Sequence, residues 1–402
     1  MIPFSPPRID QEIIDAVVAV LRSGWITTGP KVKEFETELA KYAGVSHVRC
    51  VSSATAGLEL MLRWFGIGPG DEVIVPAYTY CATANVVLHT GAKPVMVDIG
   101  SDLNIDTKLI SRLITPKTKA IIPVDIAGMP CDYDSINKIV NESAALFKPS
   151  GREQETLGRI LILSDAAHSI GAVYKGKKVG ALADITVYSF HAVKNLTTAE
   201  GGAICLNLPA PFDNDGLHRR LGVLTLHGQS KDAFSKAQSG GWEYDVEDAG
   251  YKANMTDILA AMGLVELKRY DKENLKRRRE IFKLYSGKLS GYSWAQLPEY
   301  ETADCISAFH VYPLRINGIS QEQRDKIIDL ITRKGVSVNV HFKPLPLLSV
   351  YKNLGYDIMK FPAAQDAWAR EITLPVYYQL TDEHAGKVVE AVAESVELCI
   401  TT

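Results

Sequence analysis

The chain has 402 residues, with 44 Lys and Arg against 47 Asp and Glu, a formal net charge of −3, 46% hydrophobic residues and 23% charged ones. These proportions exclude a disordered chain, which carries fewer apolar residues and more net charge. A balance this close to neutral supplies no global field to hold nucleic acid or an anionic membrane. The length predicts two or three domains, or one large α/β domain with a smaller partner.

The opening stretch MIPFSPPRID lacks the basic-then-apolar order of a signal peptide, and no apolar run is long enough to span a membrane. The six cysteines (50, 81, 131, 205, 305 and 399) are scattered too widely for a disulfide scaffold or a zinc site, and no other recognised metal-ligand spacing occurs. A reduced, cytoplasmic setting is expected. Asp10 is a good N-cap, and Ile13, Ile14, Val17, Val18 and Leu21 recur at helical spacing before Gly24. A second helix opens at Pro30 and carries Val32, Phe35 and Leu39 up to Gly44, leaving 24–29 as a compact loop.

Short apolar runs then alternate with helical stretches. Strands are predicted at 47–51, 72–75, 93–97, 119–124, 160–163, 184–190 and 202–206. The alternation predicts an α/β fold with a doubly wound, mostly parallel sheet, whose ligands bind at the carboxyl ends of its strands. Residues 228–250 form a polar, Gly- and Ser-bearing loop, a candidate lid. A helix is expected at about 255–284. The rest, with strands at 309–316 and 336–340 and helices at 321–334 and 383–397, reads as a smaller α/β domain. The expected division is 1–255 for the large domain and 256–402 for the smaller one.

Three motifs sit at predicted strand ends. Val51-Ser52-Ser53-Ala54-Thr55-Ala56-Gly57 follows a strand and opens a helix. Free N–H groups at a helix start favour an anion such as a phosphate, although Ser53 or Thr55 serves equally as a plain N-cap. In Ser164-Asp165-Ala166-Ala167-His168 a hydrophobic strand ends in a carboxylate. An ionised Asp there needs a partner, a protonated ring nitrogen being one possibility and a helix-capping role the other. In Ser189-Phe190-His191-Ala192-Val193-Lys194-Asn195 a lysine follows a buried strand directly. Desolvation in such a pocket lowers the amine pKa and suits Schiff-base chemistry. A phosphate cradle, a strand-end Asp, a Ser and a Lys together are what pyridoxal 5'-phosphate requires.

With these motifs the chain resembles the sugar aminotransferases of the DegT/DnrJ/EryC1/StrS family, within the fold-type I pyridoxal-phosphate enzymes. The resemblance runs from Gly24-Trp25-Ile26-Thr27-Thr28-Gly29-Pro30 to Leu374-Pro375. It includes Pro76-Ala77-Tyr78-Thr79-Tyr80, Ala199-Glu200-Gly201-Gly202, 250–257 and His341-Phe342-Lys343-Pro344. It implies that Lys194 holds the aldehyde and shuttles protons and that Asp165 pairs with the pyridinium nitrogen. It sets His168 near the ring hydroxyl, Tyr80 stacked on the ring, and Ala54, Thr55 and Ser189, with Ser53 beside them, around the phosphate. The 250–254 segment is the part the resemblance lends across a dimer interface. Many relatives read Gly-Tyr-Asn-Tyr-Arg there and this chain reads Gly-Tyr-Lys-Ala-Asn, so either Lys252 or Asn254 makes the phosphate contact. The loop at 25–30 is a second segment for contact in trans, and its Thr28 is a candidate substrate contact. His310 and His341 either touch the sugar nucleotide or are packed or surface histidines.

The implied activity is transfer of an amino group, glutamate being the usual donor, to a ketone of a nucleotide-linked sugar, C4 rather than C3, in polysaccharide or secondary-metabolite sugar biosynthesis, by a homodimer. Family members that dehydrate the sugar carry His in place of Lys194. A cysteine desulfurase or aldolase of the same fold, or a non-catalytic regulatory protein, are further alternatives. Gly66-Ile67-Gly68-Pro69-Gly70 precedes a strand and reads as a turn, not a dinucleotide fingerprint. Arg219-Arg220 and the charges of 268–279 read as solvated helix faces.

Overall fold

The computed structural model of the chain describes residues 1–230 and 243–401. Its first strands are β1 (His47–Val51), β2 (Glu72–Pro76), β3 (Lys93–Val97), β4 (Thr118–Ile121) and β5 (Leu161–Asp165). The short β6 (Val173–Tyr174) and β7 (Lys177–Lys178) precede β8 (Ile185–Ser189) and β9 (Gly202–Leu206). Seven of these form one sheet in the order β1-β9-β8-β5-β4-β2-β3. Only β9 runs against the rest, so the sheet is mostly parallel. β4, β5, β8 and β9 are buried along their whole length, which explains why they read as continuous apolar runs rather than alternating ones.

The first helices are α1 (Gln11–Ser23), α2 (Pro30–Ala43), α3 (Ala54–Trp64) and α4 (Ala82–His89). Asp10 caps α1 through the N–H of Ile13, and Gly24 ends it at φ 75. Ile13 is buried, but Ile14 and Leu21 are 44% and 51% exposed, so part of the apolar pattern of α1 faces outward. α2 has no cap from its own sequence. The carboxylate of Asp257 supplies one, accepting the N–H groups of Gly29 (2.8 Å), Val32 (3.0 Å) and Lys31 (3.1 Å).

The long helix expected after 255 is present but broken. Asp257–Arg269 packs on α1 and α2 and shares a core with α2. A π-helical turn, Tyr270–Leu275, then leads into Lys276–Leu289, whose Ile281, Phe282 and Tyr285 belong to a different core. That second core is covered by Gln321–Arg333 and Asp382–Thr401 around an antiparallel sheet. Its strands are β10 (Ala295–Gln296), β12 (Tyr312–Ile316) and β13 (Glu371–Leu374), while β11 (Cys305–Ile306) pairs with β6 instead.

Two expectations for this region are corrected. Residues 336–340 form no strand: Val336 bridges Ile2 and Asn339 bridges Thr373, two isolated contacts with different partners. The strand expected from 309 begins only at Tyr312. Phe309 sits at φ 53, and the N–H groups of Ala308 and His310 go to the carbonyls of Gly128 and Ala127.

Candidate active site

The parallel strands deliver their carboxyl ends to one edge of the sheet, and a cavity of about 370 Å³ opens there. Ser53, Ala54 and Thr55 follow β1, Tyr80 follows β2, Asp165 ends β5, Ser189 ends β8 and Lys194 lies just beyond it. All seven line the cavity, as do His168, His310 and His341. Ser53 caps α3 by accepting the Ala56 N–H at 3.1 Å, and the first residues of that helix, Ala54 and Thr55, line the cavity. Gly202 allows the close approach of β9: a Cβ there would lie 2.5 Å from the backbone nitrogen of Ala54.

Asp165 is almost fully buried. Its Oδ2 accepts the hydroxyl of Thr83 at 2.8 Å, and its Oδ1 accepts the N–H of Ala167 at 3.2 Å. Burial pushes its carboxyl above the usual range, opposed by those two bonds and by the charge of Lys194. Burial also lowers the Lys194 amine to about 8, the Asp165 charge opposing the shift. His168 is held well below its ordinary value by burial and then by Lys194, so its ring is neutral. Its Nδ1 is buried without a hydrogen-bond partner. The ring lies between His310 (centroids 4.3 Å apart) and Phe342 (5.8 Å, stacked). His310 Nδ1 is 2.8 Å from Asn195 Oδ1, and the Asn195 amide donates to the Ala308 carbonyl at 2.6 Å.

Thr28, Lys252 and Asn254 do not line this cavity. Asn254 Nδ2 donates to Thr28 Oγ1 at 2.6 Å, Thr28 donates to the Met255 carbonyl at 2.6 Å, and Lys252 is exposed. Tyr80 reaches the cavity with its ring 61% exposed and 5.9 Å from Phe342. Of the candidate lid, 231–242 lie outside the described residues. Its flanks pair through a Gln229–Val246 bridge, and Arg220 forms ion pairs with Glu247 and Asp248. Arg220 is therefore committed to this loop rather than simply solvated.

Thr83, Phe4 and Phe342 were not singled out from the sequence. Thr83 lies in the first turn of α4, and neither it nor Phe4, stacked on His341 at 5.6 Å, carries a local signal in the sequence. Cys81 adjoins Tyr80 but does not line the cavity, and Cys205 is wholly buried in β9. Among the described residues, His47, Asp215 and His218 bring one potential ligand atom each within 4.8 Å of one another. None of the three lines the cavity, and the His218 ring already faces Arg49 and Glu36.

A lysine of lowered pKa, a buried strand-end carboxylate and a helix start converging on one cavity define a transferase site of the kind an amino group can pass through. The chain belongs to the DegT/DnrJ/EryC1/StrS aminotransferase family, whose sequence model matches residues 7–393. It is 38% identical over 407 residues to the spore coat polysaccharide biosynthesis protein SpsC of Bacillus subtilis, covering 98% of this chain and 97% of that one. Its fold matches the candidate sugar aminotransferase Spr1654 of Streptococcus pneumoniae in the PMP form with TM-score 0.96 and 46% identity, covering 99% of this chain and 100% of that one. It matches Helicobacter pylori PseC, an aminotransferase of pseudoaminic acid biosynthesis, with TM-score 0.88 and 29% identity over 99% of each chain. No helix among the described residues is long and apolar enough to cross a membrane.

Proposed function

We propose that the protein is a pyridoxal-phosphate-dependent aminotransferase that carries an amino group from an amino acid, glutamate being the expected donor, to a keto group of a nucleotide-linked sugar, C4 being the expected position. One observation carries this reading: Lys194, Asp165 and the start of α3 face the same cavity from three strand ends. The residues fit the cofactor on their own chemistry. An orphaned His168 Nδ1, a carboxylate held in burial and a helix start with free N–H groups each ask for a partner that the cofactor's ring substituent, ring nitrogen and phosphate supply.

When bound, the cofactor supplies an aldehyde and a ring that accepts electrons. Ser53, Ala54, Thr55 and the Ser189 hydroxyl hold the phosphate. Asp165 keeps a proton on the pyridine nitrogen, itself oriented by Thr83 and Ala167. Tyr80 covers the ring, and Lys252 or Asn254 reaches a partner subunit's phosphate. The Lys194 amine, with a pKa of about 8, is partly neutral near neutral pH. Its Nζ is therefore both a nucleophile and a carrier that takes a proton from one carbon and returns it to another. Phe4 and Phe342 line the mouth and exclude water. His310 and His341 face the sugar side.

A homodimer belongs to this reading. What supports it is the exposed apolar face of α1 with Ile14 and Leu21, continued by Ile9 and Ile26, and the position of Thr28, Lys252 and Asn254 outside their own chain's cavity. A cytoplasmic setting goes with it, supported by the six cysteines forming no disulfide with one another. A large domain over 1–255 and a smaller one over 256–402 belong to the same reading, with Asp257–Arg269 of the second packing on the helices of the first. The test is a panel of keto-sugar nucleotides with glutamate, scored by mass for the amino product. No product from any member, while Lys194 is tagged by borohydride, would refute the sugar assignment; an untagged Lys194 would refute the cofactor.

A further inference from the structure

Glu371 opens β13, is wholly buried and has no part in the chemistry above. Its Oε2 accepts the backbone N–H of His341 at 3.0 Å, and its Oε1 meets the hydroxyl of Thr373. That hydroxyl also lies 3.0 Å from His341 Nδ1. One threonine thus joins a buried carboxyl to a ring on the cavity wall. The ring is held by stacking on Phe4 at 18° between planes, by an edge contact with Phe342, and through its carbonyl, which accepts the Tyr78 hydroxyl at 2.6 Å. With Nδ1 engaged, Nε2 is the ring nitrogen left for a ligand.

A hydroxyl has one proton to give, so the direction of this chain is set at its buried end. An ionised Glu371 only accepts. Thr373 then donates to it, takes the Nδ1–H of His341, and leaves Nε2 bare. A protonated Glu371 carries its proton on Oε1, because Oε2 already accepts an N–H. It donates to Thr373, which donates to Nδ1, and the ring proton resides on Nε2. We infer that Glu371, acting through Thr373, sets the tautomer of His341 and so decides whether the cavity offers a ligand a hydrogen-bond donor or an acceptor at Nε2. Glu371 and Thr373 are positioning residues; only His341 faces the ligand.

The surroundings agree. Burial raises the Glu371 carboxyl to about 8, against its two hydrogen bonds and the charges of Arg324 and Arg315. Arg324, from the helix Gln321–Arg333, is spent on the carbonyls of Trp368 and Glu371, and Arg315, from β12, on that of Ser101. Tyr78, beyond β2, stays a neutral phenol. Burial and Lys194 lower His341 to about 4, so near neutral pH its tautomer changes while its charge does not. At pH 7 the protonated carboxyl selects Nε2–H, a donor for a carbonyl or phosphate oxygen. Assigning that oxygen to the sugar nucleotide rests on the aminotransferase reading; the relay itself does not.

The test uses full-length protein labelled with ¹⁵N-histidine, the His341 signals being assigned with His341→Gln. Ring ¹⁵N shifts followed through pH 8 should show Nε2–H giving way to Nδ1–H in the wild type. Glu371→Gln, whose amide donates as the protonated carboxyl does, should keep Nε2–H throughout. Thr373→Ser should retain the change and Thr373→Val should lose it, with unchanged circular dichroism. Identical tautomers in wild type and Glu371→Gln at every pH would overturn the relay. In single-turnover assays of each half-reaction, raising the pH above 8 should raise KM for the keto-sugar nucleotide about tenfold in the wild type but not in Glu371→Gln, the amino-acid half-reaction showing no such difference. A tautomer change without that KM effect would overturn the ligand assignment and leave the relay standing.

Discussion

On the sheet-edge wall of the cavity, Ser53, Asp165, Ser189 and Lys194 each stand at or just past the carboxyl end of a strand. On the opposite wall, His310, His341 and Phe342 stand on irregular chain, held by bonds to residues far away in sequence. His310 is fixed by Asn195, 115 positions earlier, and His341 by Tyr78, 263 positions earlier. The first wall follows from strand direction alone. The second exists only once segments distant in the chain have packed together, because its anchors lie far from it in sequence. Chemistry common to any amino donor belongs on the rigid sheet edge, and discrimination between substrates belongs on the wall whose geometry is set by replaceable contacts.

The contrast can be broken at either wall. The largest effect should come from Lys194→Ala, which removes nucleophile and proton carrier together. Turnover should fall by at least about 10⁴-fold, with no permanent borohydride tag; an active variant would sink the assignment. Asp165→Asn keeps the shape but removes the charge, and kcat should drop about 10²–10³-fold while the protein still binds the cofactor. The lowered Lys194 pKa sets a sign for pH dependence. Only the neutral amine attacks, so the rate at which cofactor-free protein turns yellow with added pyridoxal phosphate should rise with pH and level off above about 8. A plateau delayed to the ordinary lysine range would mean the cavity does not desolvate the amine. On the second wall, Tyr78→Phe removes one buried hydrogen bond to the His341 carbonyl. It should cost about 1 kcal/mol in stability by denaturant titration and change KM for the sugar more than kcat. Equal effects on the two half-reactions would erase the distinction between the walls.

Strand existence was legible because short apolar runs alternate with helical stretches, and β1, β3 and β9 match their predicted spans. The helix caps at Asp10 and Gly24 were legible because capping is local. The cap of α2 was not, because Asp257 reaches Gly29 from 228 positions away. The strand expected at 336–340 failed for a related reason: Val336 and Asn339 each bridge a different partner singly, and local pattern cannot distinguish that from a ladder. Thr28, Lys252 and Asn254, named together from resemblance, do meet or lie near one another, but away from the cavity of their own chain.

What the sequence by itself determined is the set of groups at the sheet edge. A side chain at a strand's carboxyl end is positioned by the strand's direction, and direction follows from the alternation of strands and helices. The tertiary structure alone decided which groups face them. Phe4, Thr83, Phe342 and the Glu371–Thr373–His341 chain come together only when segments separated in the sequence pack, and the free energies that select those contacts come from burial and hydrogen-bond satisfaction, which no local pattern records.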